Sequence, residues 1–254
     1  MKNIKMINLY NNLDTYKHQL LNLFAHLNLM IIYIQFPNII IPTLIFGWIF
    51  HNIFHSLFLH RIYTHRQFTL NNTLQKIGQF GFSMLNLGSP HVYAAVHLKH
   101  HKFSSTKDDP HDPYHTTIWR SILSLWTSSY NPPKSILKNY LYKKENIWYY
   151  KNHFKLSCLC AICFPFITVM AFWLSKIVII IVHLNNIGYR NFDTKENSKN
   201  IWWLKPIMWG DEMHNNHHYK PANGNLNFAN SWKEYDLMFY IGKFLETGKI
   251  WKNS

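Results

Sequence analysis

Charged residues are scarce in this chain. They make up 15% of its 254 residues, against about 25% in an ordinary soluble domain. The shortfall argues against a wholly water-exposed surface and points to a membrane. Acidic groups are scarcest, with 12 Asp and Glu against 26 Lys and Arg. Arginine is nearly missing as well: Arg61, Arg66, Arg120 and Arg190 are the only four, and the other 22 basic residues are Lys. With 27 Asn, this reads as a compositional drift of the whole chain, so part of the +14 net charge carries no function. The asparagines also account for much of a mean hydropathy of only -0.18. Cysteine is limited to Cys158, Cys160 and Cys163, together in one apolar run. That clustering excludes a secreted disulfide framework. Without polar, turn-rich flanks it does not read as a metal site either, and packing within a helix is the expectation. Internal repeats and low-complexity linkers are lacking, so residues 1–254 read as one domain. Met1–Lys17 is polar and lacks a small-residue cleavage site, so no removable signal peptide is expected.

What remains is apolar length, lysine and histidine. Leu20–Leu59 is apolar and breaks at Pro37 into halves of 17 and 21 residues. A crossing needs about 20 residues, at 1.5 Å of rise each across about 30 Å of hydrocarbon. Leu156–Tyr189 is a second apolar region, with an expected break at Trp173–Lys176 from which Lys176 snorkels to the interface. The sequence therefore predicts four helical crossings in two hairpins, at about 20–59 and 156–189, with a cap formed by 60–155 and 190–254. Nine lysines from Lys99 to Lys155 lie between the hairpins. Under the positive-inside rule they place this segment and both termini in the cytosol and argue against a nucleic-acid partner. Ile77–Leu98 reads as an interfacial or re-entrant stretch.

Seventeen histidines are about three times a usual share. At that abundance His60 and His65, an H-x4-H pair, are expected by accident about once. An H-x2-H-H triplet is expected less than about 0.1 times, yet two occur: His97, His100, His101 and His214, His217, His218. On a helix, positions i, i+3 and i+4 share a face, so each triplet is expected to aim three imidazoles at one point. His60 and His65 lie about 140° apart on an ideal helix and share a site only at a helix end or break, which the turn after Tyr63 permits. Eight imidazoles exceed what one zinc takes and suit two metals, whose identity imidazole does not fix. His51 and His55 share one helix face and stay unassigned.

HRIYTHR (60–66), HLKHHKFSSTKDDPH (97–111), GYRNFD (188–193) and HNNHH (214–218) resemble, in this order, the histidine boxes of membrane fatty-acyl desaturases of the acyl-CoA delta-9 type, in a bacterial-like short form. H-x4-H in the first box is similar to desaturases, whereas related hydroxylases usually show H-x3-H. The resemblance implies an all-α protein of four transmembrane helices and a cytosolic helical cap holding two Fe ions (Fe2+/Fe3+), with O2 as co-substrate. Its metal ligands are then His60, His65, His97, His100, His101, His214, His217 and His218. The family's ninth histidine falls on Asn185; either His183 takes its place through a register change, or Asn185 binds directly or through water. The chain also has Gly210-Asp211-Glu212 where the family tends to Gly-Glu-Gly. Asp108, Asp109 and His111 read either as a polar helix-terminal turn or as groups orienting the ligands, and Asp211 and Glu212 have the same two readings.

The implied reaction is O2-dependent introduction of a cis double bond into a saturated fatty acyl chain, most simply a stearoyl-CoA-type thioester. Lys99, Lys102, Lys205 and the Trp202-Trp203 pair are candidates to meet its head group. The 36 residues after His218 are too few for a fused electron carrier, so an external donor is expected, ferredoxin or cytochrome b5 with a reductase. A bacterial inner membrane is the expected location, or the endoplasmic reticulum of a eukaryote. The rivals are a lipid hydroxylase or lipid-linked acyl desaturase on the same scaffold, and a non-enzymatic membrane metal-binding or transport protein.

Overall fold

The computed structural model describes residues 12–110, 144–184, 186–229 and 231–246. Among them every regular element is helical: α1 (Asn12–Gln35), α2 (Ile40–His51), a π-wound continuation (Asn52–Thr64), α3 (Asn72–Ser83), α4 (Pro90–Phe103), α5 (Lys144–Cys163), α6 (Pro165–Ile181), α7 (Lys205–Met208), α8 (His214–Tyr219) and α9 (Leu237–Leu245). Extended pairing is limited to isolated bridges of Asn200 with Tyr189 and with Met213.

Proline sets both breaks in the apolar regions. A residue before proline is pushed out of helical geometry, and proline itself offers no N–H to the preceding turn. Phe36 accordingly sits at φ -132°, ψ 66° ahead of Pro37, as expected. Phe164 sits at φ -137°, ψ 54° ahead of Pro165, and there the chain bends by 111° between α5 and α6. The second break is thus at Phe164, not at Trp173–Lys176, which lies inside α6. Lys176 is 1% exposed and does not snorkel. Asn28 of α1 stabilises this bend: its Nδ2 donates to the carbonyls of Ala161 (3.0 Å) and Ile162 (3.1 Å), which the end of α5 leaves without helical donors.

The helix from Pro37 to Thr64 is long and apolar enough to cross a membrane, and α5 with α6 passes the same test as a bent pair. The exposed surface agrees with lipid as solvent. Ile34 is 73% exposed and Ile41 70%, and Leu20, Leu23, Ile31, Phe46, Leu159 and Ile162 also face outward. A water-soluble protein rarely exposes so broad an apolar face. Inside, α6 packs on α1 and α2, while α5 packs on α1 and α3. Gly47 permits the close α2–α6 approach: a β-carbon there meets the Phe166 carbonyl at 3.1 Å and Met170 Cβ at 3.2 Å. Of the cysteines, Cys160 joins the core, Cys158 is half-buried and Cys163 is exposed. Ile77–Leu98 is no single interfacial stretch. It is divided between α3, whose Ile77 and Phe80 face outward, and α4, whose residues through His97 are mostly buried.

Candidate metal centre

The π-wound stretch answers the geometric problem posed by His60 and His65. A π-helix closes its hydrogen bonds over five residues, so side chains five apart stack one turn above the other. His65 N donates to His60 O (3.1 Å) and Thr64 Oγ1 to Leu59 O (2.7 Å), both across five residues. The two imidazole centroids are 5.0 Å apart. The wide winding, not a helix break alone, brings the pair together.

The triplets behave differently from the expectation that each serves one point. Nine histidines fall into two groups, His60, His65, His97, His101 and His217 in one and His100, His183, His214 and His218 in the other. Within each group the ligand-capable atoms lie within 4.8 Å of one another. Each triplet splits because i and i+4 are about 40° apart around a helix, while i+3 and i+4 are about 100° apart. His97 and His101 stay together, with their Nε2 atoms 3.0 Å apart, and His100 turns to the other group. His214 and His218 stay together at 3.1 Å, and His217 turns away, its Nε2 3.0 Å from those of His60 and His101. The groups adjoin, with the rings of His101 and His218 centred 4.3 Å apart.

His183 follows the end of α6 and joins the four-histidine group, Nε2 to Nε2 with His214 at 3.1 Å. Asn185 and His111 lie outside the described residues. Among the acidic candidates, Asp109 is buried and its Oδ1 accepts from His100 Nδ1 at 2.8 Å, while Asp108 is exposed. Asp211 Oδ1 is 3.3 Å from His60 Nδ1 and 3.5 Å from Arg61 Nε. Burial raises the Asp211 carboxyl, but His60 and Arg61 outweigh it and hold the group well below the usual carboxylate range. Glu212 meets no histidine among the described residues; it accepts from Gly210 N at 2.7 Å, and burial pushes its carboxyl up to about 8. Sequence reasoning missed Glu196, whose Oε2 lies 3.7 Å from His218 Nδ1 and 3.9 Å from His183 Nδ1. It also missed what holds α8 in place. Asn215 Oδ1 accepts from the backbone N–H of Asn191 and Phe192 (2.9 Å each), and Asn216 Nδ2 donates to Glu234 Oε2 (3.0 Å). Tyr189 O–H also donates to Glu234 (2.8 Å), so the GYRNFD segment anchors the third box.

This donor set fits a pair of transition-metal ions. Burial first, and repulsion among the rings second, hold His65, His97, His101, His214, His217 and His218 well below their ordinary value of 6.5. They are neutral, as metal ligation requires. Carboxylates occupy Nδ1 of His60 and His100, which leaves Nε2 of each to accept a metal. Two nitrogens at about 2.1 Å from one ion, at right angles, lie about 3 Å apart; the Nε2 separations of 3.0–3.1 Å match. His65 Nε2 is buried with no hydrogen-bond partner among the described residues. A cleft reaches the centre at His60, His97, His214 and Asp211, and continues between His51, His55 and Tyr93 on one wall and Ser175, Val178, Ile179 and Met208 on the other.

Residues 34–240 match the family described as "Fatty acid desaturase". Among known proteins, Delta-9 acyl-lipid desaturase 1 of Arabidopsis thaliana is 26% identical over 202 residues, covering 74% of this chain and 66% of that protein. Acyl-CoA C20 Delta5-desaturase of Anemone leveillei is 30% identical over 212 residues, covering 75% and 65%. The chain thus spans about two thirds of the length of these relatives. With four fifths of its residues inside the family match and nine histidines converging at its centre, this chain belongs to the fatty acid desaturase family.

Proposed function

We propose that this protein introduces a cis double bond into a saturated fatty acyl chain with O2 as oxidant, acting at the delta-9 position of an acyl-CoA. The observation that carries this reading is the meeting of two imidazole groups with one cleft whose far wall includes Val178, Ile179 and Met208. His60, His65, His97, His101 and His217 would hold one iron, and His100, His183, His214 and His218 the other. The irons supply, when bound, the redox chemistry that activates O2 for hydrogen removal from an unactivated methylene. The protein's own part is positioning and exclusion of water. Val178, Ile179 and Met208 offer the wall along which two adjacent methylenes lie beside His60, His97 and His214. Asp109 and Asp211 keep the Nδ1 protons of His100 and His60 turned away from the centre, and Glu196 sets a carboxylate 3.7 Å from His218 Nδ1. Overall, CH2–CH2, O2, two electrons and two protons give CH=CH and two waters, so an external donor such as ferredoxin or cytochrome b5 with its reductase completes the reaction.

In the same reading the chain is one domain that crosses the membrane four times, through α1, Pro37–Thr64, α5 and α6, with termini and histidines cytosolic. The 111° turn at Phe164 supports a hairpin over one straight span. Lys205, Trp202 and Trp203 lie at the surface for the carrier's head group.

The test is expression in a host unable to make unsaturated fatty acids, with a working donor and fatty-acid profiling of free, CoA-linked and lipid-linked pools. A new monoenoic acid appearing first in the CoA pool is the expected result. Lack of any monoene despite two irons bound per chain refutes the reading; first appearance in the lipid pool moves it to a lipid-linked substrate.

A further inference from the structure

One wall of the cleft does not suit hydrocarbon. His51 is fully buried at mid-span, between Pro37 and Thr64, and neither of its ring nitrogens has a hydrogen-bond partner among the described residues. His55, one turn on, stacks against it with centroids 4.6 Å apart. Tyr93 O–H pairs with His55 Nε2 at 2.9 Å, and His55 Nδ1 is also buried with no hydrogen-bond partner among the described residues. Both histidines line the cleft that touches the metal centre. An imidazole carries one N–H and one lone pair, so His51 presents a donor and an acceptor, and His55 Nδ1 adds one more group of either kind. Buried polar atoms of this kind are nearly always satisfied, because each one left bare costs a hydrogen bond's worth of stability. A saturated chain satisfies none of the three. A carbonyl or an ether oxygen only accepts. A hydroxyl accepts from one ring and donates to the other.

We propose that His51 and His55, braced by Tyr93, form a hydroxyl-binding subsite in the acyl cleft, filled by an ordered water or by a hydroxyl carried on the acyl chain. The inference rests on the acyl reading of the cleft. The two sources share one chemistry and differ in consequence. A substrate hydroxyl makes the enzyme selective for hydroxyacyl chains; a water makes the cleft wet beside a plain chain.

The experiment is equilibrium binding to the iron-loaded full chain in phospholipid nanodiscs, without electron donor so that nothing turns over. The probes are octadecanoyl-CoA and a set of hydroxyoctadecanoyl-CoA isomers with the hydroxyl at successive carbons. If the substrate supplies the hydroxyl, one isomer binds wild type about tenfold more tightly than the plain probe. His51→Leu then abolishes that preference and His51→Gln, which still hydrogen-bonds, retains part of it. If water supplies it, wild type shows no preference, and His51→Leu dries the cleft and binds octadecanoyl-CoA several-fold more tightly while His51→Gln does not. Either pattern supports the subsite. His51→Leu with wild-type affinity and selectivity for every probe overturns it while leaving the desaturase reading intact. If no probe binds wild type, the acyl reading falls and takes the subsite with it. Iron content of each variant verifies its fold, and His55→Leu replaces His51→Leu should the latter lose iron.

Discussion

Arg61 follows a metal-facing histidine in sequence yet turns away from the centre, and its replacement by methionine has a calculable consequence. The side chain is fully buried. Nη1 lies 2.8 Å from Asp236 Oδ2 and 3.3 Å from the Gly224 carbonyl, and Nε lies 3.5 Å from Asp211 Oδ1. Methionine keeps much of the volume but strands two buried carboxylates. Removing one partner of a buried pair costs about 3–5 kcal/mol, a large share of a total stability of about 5–15 kcal/mol. At about 2–4 °C per kcal/mol for a chain near this size, the apparent Tm in detergent falls by roughly 10 °C. Adding Asp236→Asn removes one stranded charge. Asp236 also accepts from Leu226 N and Phe239 N (3.1 Å each); asparagine retains an oxygen for one of them and gives up about 1 kcal/mol on the other. The double variant therefore recovers about 2 kcal/mol, or roughly 4–8 °C, over Arg61→Met alone. The assay is thermal unfolding at one scan rate and one detergent concentration, read as a double-mutant cycle. A double variant as unstable as the sum of the two singles refutes the idea that Arg61 compensates these carboxylates.

Other consequences are equally specific. Asp109→Asn lowers iron affinity about 10- to 100-fold in a chelator competition, because one amide oxygen cannot serve both His100 Nδ1 and Ser105 N as the carboxylate does, whereas Asp108→Asn leaves it unchanged. Gly210 holds φ +137°, and a β-carbon there approaches Arg61 Nη2 at 2.7 Å; Gly210→Ala lowers the Tm of the same unfolding assay, and an unchanged Tm refutes the close approach. The depressed histidines bind protons only when released: below about pH 6.5 the unfolded or metal-free chain takes up protons that the folded, loaded centre does not. Iron retention therefore falls as pH drops through 6.5 and is flat above it, and a flat profile down to pH 5 contradicts the assignment. Glu212 has the opposite sign. Its carboxyl stays protonated in the fold up to about pH 8 and ionises near 4.5 when unfolded, so stability declines with rising pH between those values. Glu212→Gln flattens that decline in a series of Tm measurements.

The convergence of the two triplets was legible from spacing because i, i+3 and i+4 repeats are rare by accident and mark a helix face. How the set divides was not legible. The split of His97 and His101 from His100 depends on how α4 is rotated against α8, which no single segment encodes. The π winding was hidden because five-residue spacing suits no α-helical face, so His60 and His65 looked like the weakest pair. Glu196 and Asp236 are far in sequence from the boxes they support and sit in polar loops that resemble any others. The second break is a different case. Pro165 carried the signal, but it lies in unbroken apolar sequence, and the polar Ser175-Lys176 pair looked the more natural end of a helix. Lys176 shows that a charged residue in an apolar run need not mark a boundary.

The division of each triplet bears on how the protein acquires its metals. An ion in the five-histidine group would brace the axial rotation of α4 through His97 and His101 and add to the bonds that already hold α8 through His217. The same rotation aims His100, His214 and His218 at the neighbouring position, so the entropy of ordering those rings is already spent before a second ion arrives. Cooperative uptake is the expected outcome, with the half-loaded species scarce in a metal titration of the empty chain.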